Sequence, residues 1–265
     1  MPYQFIITER HLLAIAQHEP QYQQGLQRVL YYLINAKILT DEIFIRVLAH
    51  AQVEFSWGLC NALEHSAKYL QNRDEAIYRE LIQHPNEATS LVIIYIALER
   101  AAPTLLNHTN RAALIQNVQY ANGLSAAICT LKNANPSLLN QDNFTLLIQN
   151  AQYAEPLSHI LETLNSQNLL KQTNYTTLMQ SAHHAATLKT GLMLLSSSED
   201  LFALLIRFRV ERFDHASKKL LTQAHYDSVM RAPHDAENIA RGIVAQCEKT
   251  CADIKEEITR IPKLR

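Results

Sequence analysis

Aligned on itself, the chain repeats about every 33 residues, and a period of that length allows few folds. Leu-Leu-Asn-Gln-Asp-Asn-Phe ending at Phe144 recurs as Leu-Leu-Lys-Gln-Thr-Asn-Tyr ending at Tyr175 and as Leu-Leu-Thr-Gln-Ala-His-Tyr ending at Tyr226. An earlier copy, Leu-Thr-Asp-Glu-Ile-Phe, ends at Phe44. Tyr78 and Arg111 fill the same slot in two degenerate copies, and Leu12 fills it in a first one. From Leu12 the slots are 32, 34, 33, 33 and 31 residues apart, and the last step, to Tyr226, is 51. A pair of helices per unit accounts for this length. One pair cannot bury its apolar face, whereas neighbours stacked on one another bury a continuous core.

The unit around Phe144 shows the pattern best. Asn140 is placed to cap a helix, and Asp142 puts negative charge near its start, where the helix dipole favours it. Thr40 followed by Asp41 and Glu42 repeats the arrangement. Phe144, Leu147, Ile148 and Ala151 then share one helical face. A break at Tyr153-Ala154-Glu155 precedes Pro156, which a first turn tolerates, and a second helix presents Leu157, Ile160, Leu161 and Leu164. So short a connection predicts antiparallel helices. With 48% hydrophobic residues and only 5 Gly and 8 Pro, the chain has a large core and too little turn chemistry for a β-sandwich. The signatures of tetratricopeptide and ankyrin repeats are missing. The expected fold is all-α: a right-handed superhelical α-solenoid of about six to seven antiparallel helical hairpins, with an extra helix and a C-terminal capping helix. Residues 1–195 hold the hairpin repeats, and 196–265 hold the inserted helix, the last repeat and the cap, in one continuous fold.

All 5 glycines, Gly25, Gly58, Gly123, Gly191 and Gly242, fall in or at the start of predicted second helices. Either close helix–helix approach requires them or they have drifted in at tolerant positions. After Leu195 the period breaks, and residues 196–200 read as a capped helix start. Arg207, Arg209 and Arg212 share this extra helix with Glu211 and Asp214. They could grip an acidic partner, or solvate a wedge packed on the stack. The final helix, 236–261, carries Ile239, Ile243, Cys247, Cys251, Ile254, Ile258 and Ile261 on one face and charge on the other, which suits a cap.

Catalytic and metal motifs are scarce. Cys247 and Cys251 share a helix face, but zinc needs two further ligands, and two buried thiols are the simpler reading. Adjacent His183 and His184 diverge on a helix and do not readily share a metal, while Cys60 and His65 face different sides. No HExxH, nucleophile elbow, P-loop or GxGxxG is present. No metal and no cofactor is expected. The best binding candidate is a recurring row. Gln116, Asn117, Gln119 and Tyr120 match Gln149, Asn150, Gln152 and Tyr153, with Gln83-His84 and Gln180-Ser181 in register and His183-His184 ending the same first helix as Gln180-Ser181. Stacked, these amides and rings could hold an extended peptide through its backbone, tie neighbouring turns together, or simply be solvated helix ends.

The net charge of -1 makes nucleic acid a poor partner. The longest apolar run, 91–98, is too short to span a membrane, the first residues lack a secretory signal pattern, and the 4 Cys fit reduced thiols. A protein partner is therefore expected for a chain that is a monomer on its own. The alternative is an enzyme whose site is built from 196–217 and the last repeat, using Arg207, Arg209, Arg212, Asp214 and His215.

The unit Leu-Leu-x-Gln-x-Asn-Phe/Tyr-x-x-Leu-Ile/Met-Gln-x-Ala, with its second helix rich in Leu and Ala, resembles short helical repeats in effectors of Legionella and related intracellular bacteria. The match covers most of 39–195 and resumes at Leu220, and Glu248, Glu256 and Glu257 look similar to the acidic tail signals of type IV secretion substrates. The resemblance implies bacterial cytoplasm before export, host cytosol afterwards, and a host factor or another effector as partner. It carries over no catalytic residue, because the repeat has none.

Overall fold

The computed structural model describes residues 7–49, 53–70, 74–197 and 222–260. Among them lie fourteen α-helices and no strand. In chain order these are α1 (Glu9–Ala16), α2 (Pro20–Asn35), α3 (Asp41–Ala49), α4 (Val53–Tyr69), α5 (Glu75–Gln83), α6 (Ala88–Ala101) and α7 (His108–Gln116). They continue as α8 (Ala121–Ala134), α9 (Gln141–Gln149), α10 (Ala154–Ser166), α11 (Gln172–Gln180), α12 (Ala185–Ser197), α13 (Gln223–Arg231) and α14 (Ala236–Arg260). Each of the seven slot residues, from Leu12 to Tyr226, stands fourth in an odd-numbered helix. The sequence period thus marks the same turn of every odd helix.

Capping sets that register. Asn107 and Asn140 each accept the backbone N–H of the third helical residue at 3.0 Å, and Thr40 and Thr222 do so at 3.2 and 3.3 Å. Asp74 accepts from Ala76 at 3.0 Å. Each satisfies one of the orphan donors at a helix start. Lys171 occupies the equivalent place before α11 with extended backbone and no acceptor to offer. The break between α9 and α10 is a 3-10 turn at Ala151–Tyr153, slightly earlier than the break read from sequence, and Pro156 sits in the first turn of α10. The same turn recurs at Val118–Tyr120, Ala182–His184 and Pro233–Asp235.

Packing runs from neighbour to neighbour. Among even helices, α2 packs on α4, α4 on α6, α6 on α8, α8 on α10, α10 on α12 and α12 on α14; among odd ones, α3 meets α5 and α9 meets α11. Phe44, Arg111, Tyr175 and Tyr226 each touch the preceding unit. Phe44, Tyr78, Arg111, Phe144, Tyr175 and Tyr226 are all at most 6% exposed, while Leu12, in register but with no described unit before it, is 57% exposed. Leu12 instead borders an open apolar groove of about 320 Å³ with Ile7, Ile15, Leu30, Tyr31 and Ile34.

The glycines divide into two kinds. A Cβ on Gly123 would lie 2.5 Å from the backbone nitrogen of Glu155, and one on Gly191 would lie 2.6 Å from the carbonyl oxygen of Ala236. Both mark close approach of one even helix to the start of the next, where Ala154 and Ala236 are buried. Gly242 has nothing within 4 Å and Gly58 only ordinary contacts, so close approach explains neither.

Candidate functional site

Two polar rows run across the units, one inside and one outside. The inner row comes from the Gln-x-Asn of the repeat. Glutamine is the first residue of α9, α11 and α13, asparagine is the third of α7, α9 and α11, and each of these asparagines pairs with the glutamine of the following unit. Asn110 donates to Gln141 and accepts from it, both at 3.0 Å; Asn143 and Gln172 exchange the same two bonds at 2.8 Å; Asn174 and Gln223 do so at 2.9 and 2.8 Å. Each asparagine also donates to a carbonyl of its own return, Leu105, Leu138 or Leu169. Both N–H donors and the carbonyl are thus used, as a buried amide requires. His11 stands third in α1 and its Nε2 lies 3.2 Å from Asp41, first in α3, so the same positions meet with different chemistry.

The slot residues reinforce this seam. The Tyr175 hydroxyl donates to the carbonyl of Asn143 at 2.8 Å, and that of Tyr226 to the carbonyl of Asn174 at 2.7 Å. Burial raises both hydroxyl pKa values, keeping them neutral donors. At Arg111 the slot is charged. Its Nη1 lies 3.0 Å from Asp74 and its Nε 3.8 Å from Glu80, which also accepts the hydroxyl of Tyr95 at 2.7 Å. A buried cation needs such acidic neighbours, and the preceding unit supplies both.

The outer row is the one read from the sequence. Gln116, Gln119, Gln149 and Gln152 are exposed, and their side chains make no hydrogen bond among the described residues. Tyr120 and Tyr153 are half-buried, with one side packed on the core. Asn117 and Asn150 turn their amides inward. Asn117 donates to the carbonyl of Ala113 at 3.0 Å, and Asn150 to those of Leu146 at 2.9 Å and Met179 at 3.3 Å. Asn150 therefore ties its turn to the next unit and has little left for a ligand.

The row continues into histidines. His183 is exposed and His184 half-buried, with ring centroids 4.0 Å apart, and His234 of the next turn lies 6.1 Å from His184. Desolvation, then the adjacent His183 and His234, holds the His184 pKa below the usual imidazole value, favouring the neutral ring. Among the described residues no group of three or more His, Cys, Asp or Glu is placed to hold a metal.

Other readings fall elsewhere. Arg207, Arg209, Arg212, Asp214 and His215 lie outside the described residues, as do the side chains of Cys247 and Cys251. Cys60 is buried and His65 bonds the carbonyl of Asn61 at 2.8 Å, so the two do not pair. Among the described residues no helix is long and apolar enough to cross a membrane. Sequence reasoning missed the inner row, although its signal, Gln and Asn two apart at the repeat spacing, was in plain view. No protein-family model, curated protein or solved structure matches this chain.

Proposed function

We propose that the chain is a protein-binding module: seven antiparallel hairpins wound as a right-handed α-solenoid, with the outer row as the surface that holds a partner. What carries this reading is the recurrence of exposed, unbonded glutamines beside a half-buried tyrosine at the same turn of successive units. Tyrosine offers contact area at small entropic cost, and the glutamines offer donors and acceptors to a backbone. The inner row supports it indirectly, because the amides that the fold needs are a different set. The likeness of the repeat to those of Legionella effectors makes the partner a host factor or another bacterial effector, met in host cytosol after export. No described residue favours the enzymatic alternative, whose arginines lie in 198–221.

Affinity capture with the full chain, from host lysate and from cells co-expressing bacterial effectors, tests this. A stoichiometric complex is expected that is lost in the Tyr120→Ala, Tyr153→Ala double variant while the far-UV spectrum is unchanged. A complex that persists in that variant moves the site to the arginine segment.

A further inference from the structure

We propose that copies of this chain associate head to tail, the first helix pair of one copy seating on the last pair of another as each pair within the chain seats on the one before. This rests on the stacked-repeat reading but not on the outer row. The last pair is laid out to receive a successor. α13 and α14 repeat α11 and α12 at a constant offset of 51 residues, which matches Tyr226 to Tyr175, Met230 to Met179, Ile239 to Leu188, Gly242 to Gly191 and Ile243 to Leu192. In the earlier pair Met179, Leu188 and Leu192 are buried, and the Ala236 carbonyl oxygen at the start of α14 lies 2.6 Å from where a Cβ on Gly191 would stand. In the last pair Met230, Ile239 and Ile243 are half-buried, and among the described residues nothing lies within 4 Å of a Cβ on Gly242. The same face is built twice, and among the described residues it is covered once.

The first pair offers the complement. Leu12 holds the slot position that Tyr226 fills in the last pair, and with Ile7 and Tyr31, also exposed, it rims the apolar groove that the buried Ile15 and Leu30 line more deeply. The end of a repeat stack ordinarily shows water a polar face, so an apolar end marks a contact surface. The polar groups match as well. His225 is third in α13 as His11 is third in α1, and each accepts the backbone N–H of its cap at Nδ1, from Thr222 at 3.5 Å and from Thr8 at 3.1 Å. Within the chain the Nε2 of His11 meets Asp41, the first residue of the next odd helix, at 3.2 Å. Between copies the residue in the place of Asp41 is Glu9, the first of α1, so docking sets a carboxylate beside a histidine again. Two first pairs set face to face would cover the grooves and leave the last pairs as they are. Head-to-tail docking covers both ends, and because the two surfaces differ, each added copy presents a fresh end.

The test is sedimentation velocity of the full chain over a range of concentrations. The mass is expected to climb past twice the 30.2 kDa of one chain. Leu12→Asp blocks the head and Gly242→Trp the tail, and both positions are open enough for the fold to tolerate them, as an unchanged far-UV spectrum would verify. Each variant alone should keep the mass of one chain, while an equal mixture of the two should form a species of twice that mass and stop there. Tyr31→Asp, on the rim of the same groove, serves as a second head variant. Gly242→Ala, which meets open space in the dilute chain, should weaken association about fivefold or more by crowding the docked copy. A wild-type chain that keeps the mass of one copy throughout overturns the proposal, as does growth that ignores the end variants. A dimer lost in Leu12→Asp but kept in Gly242→Trp also overturns it, in favour of two first pairs face to face. Tyr120→Ala, Tyr153→Ala should associate as the wild type does, so failure of partner capture with association intact removes the outer row and leaves the ends standing.

Discussion

Asn143 is 2% exposed and uses its side chain three times, twice with Gln172 and once with the Leu138 carbonyl. Truncating it leaves buried polar groups without partners, so Asn143→Ala is expected to lower unfolding free energy by about 2–3 kcal/mol in urea melts. Asn150→Ala, whose amide bonds a carbonyl of its own helix and one long contact beyond it, should cost about 1 kcal/mol or less. Lys171 offers the reverse case. Lys171→Asn supplies the missing cap and removes a cation from a helix start, and should raise stability by about 0.5–1 kcal/mol. The slot was legible in the sequence because one position keeps one character through many copies. The pairing of Gln172 with Asn143 was not, because the two bonded side chains are 29 residues apart and only packing shows which amides meet.

At the level of elements, glycine separates two explanations that sequence left open. Gly123→Ala would drive a Cβ into the backbone of Ala154 and Glu155, at 2.8 and 2.5 Å, and backbone cannot rotate away. It should destabilise by about 1–3 kcal/mol although alanine is the better helix former. Gly242→Ala meets open space and should stabilise by about 0.5–1 kcal/mol. Thermal melts of the two variants should move in opposite directions; a shared sign would mean that close approach does not govern Gly123. Leu12 makes the related point about slots. It has the right position in α1 but lies 57% exposed, with no described helix pair before it to cover it.

Across the whole molecule, the unit after the break docks as its predecessors do. Gln223 pairs with Asn174, Tyr226 reaches the Asn174 carbonyl, and the start of α14 abuts Gly191. The 51-residue step between Tyr175 and Tyr226 therefore leaves the inner row unbroken. Deleting 198–217 would leave four residues between Ser197 and the cap Thr222, the length that 167–170 makes between α10 and Lys171. That deletion variant should fold, with the helical content per residue retained by circular dichroism and a cooperative melt. Capture experiments with it then separate the two candidate surfaces: partner binding kept points to the outer row, and binding lost points to Arg207, Arg209 and Arg212.

The chain by itself determined the helical class, the places where helices start and the recurring slot, because caps and apolar periodicity act over a few residues. It also displayed both sets of amides. Only the tertiary structure decided which set turns inward, since burial of Asn143 and exposure of Gln149 depend on which helix arrives beside each. Hydrogen bonds between units are long-range facts, set by packing that no local stretch contains.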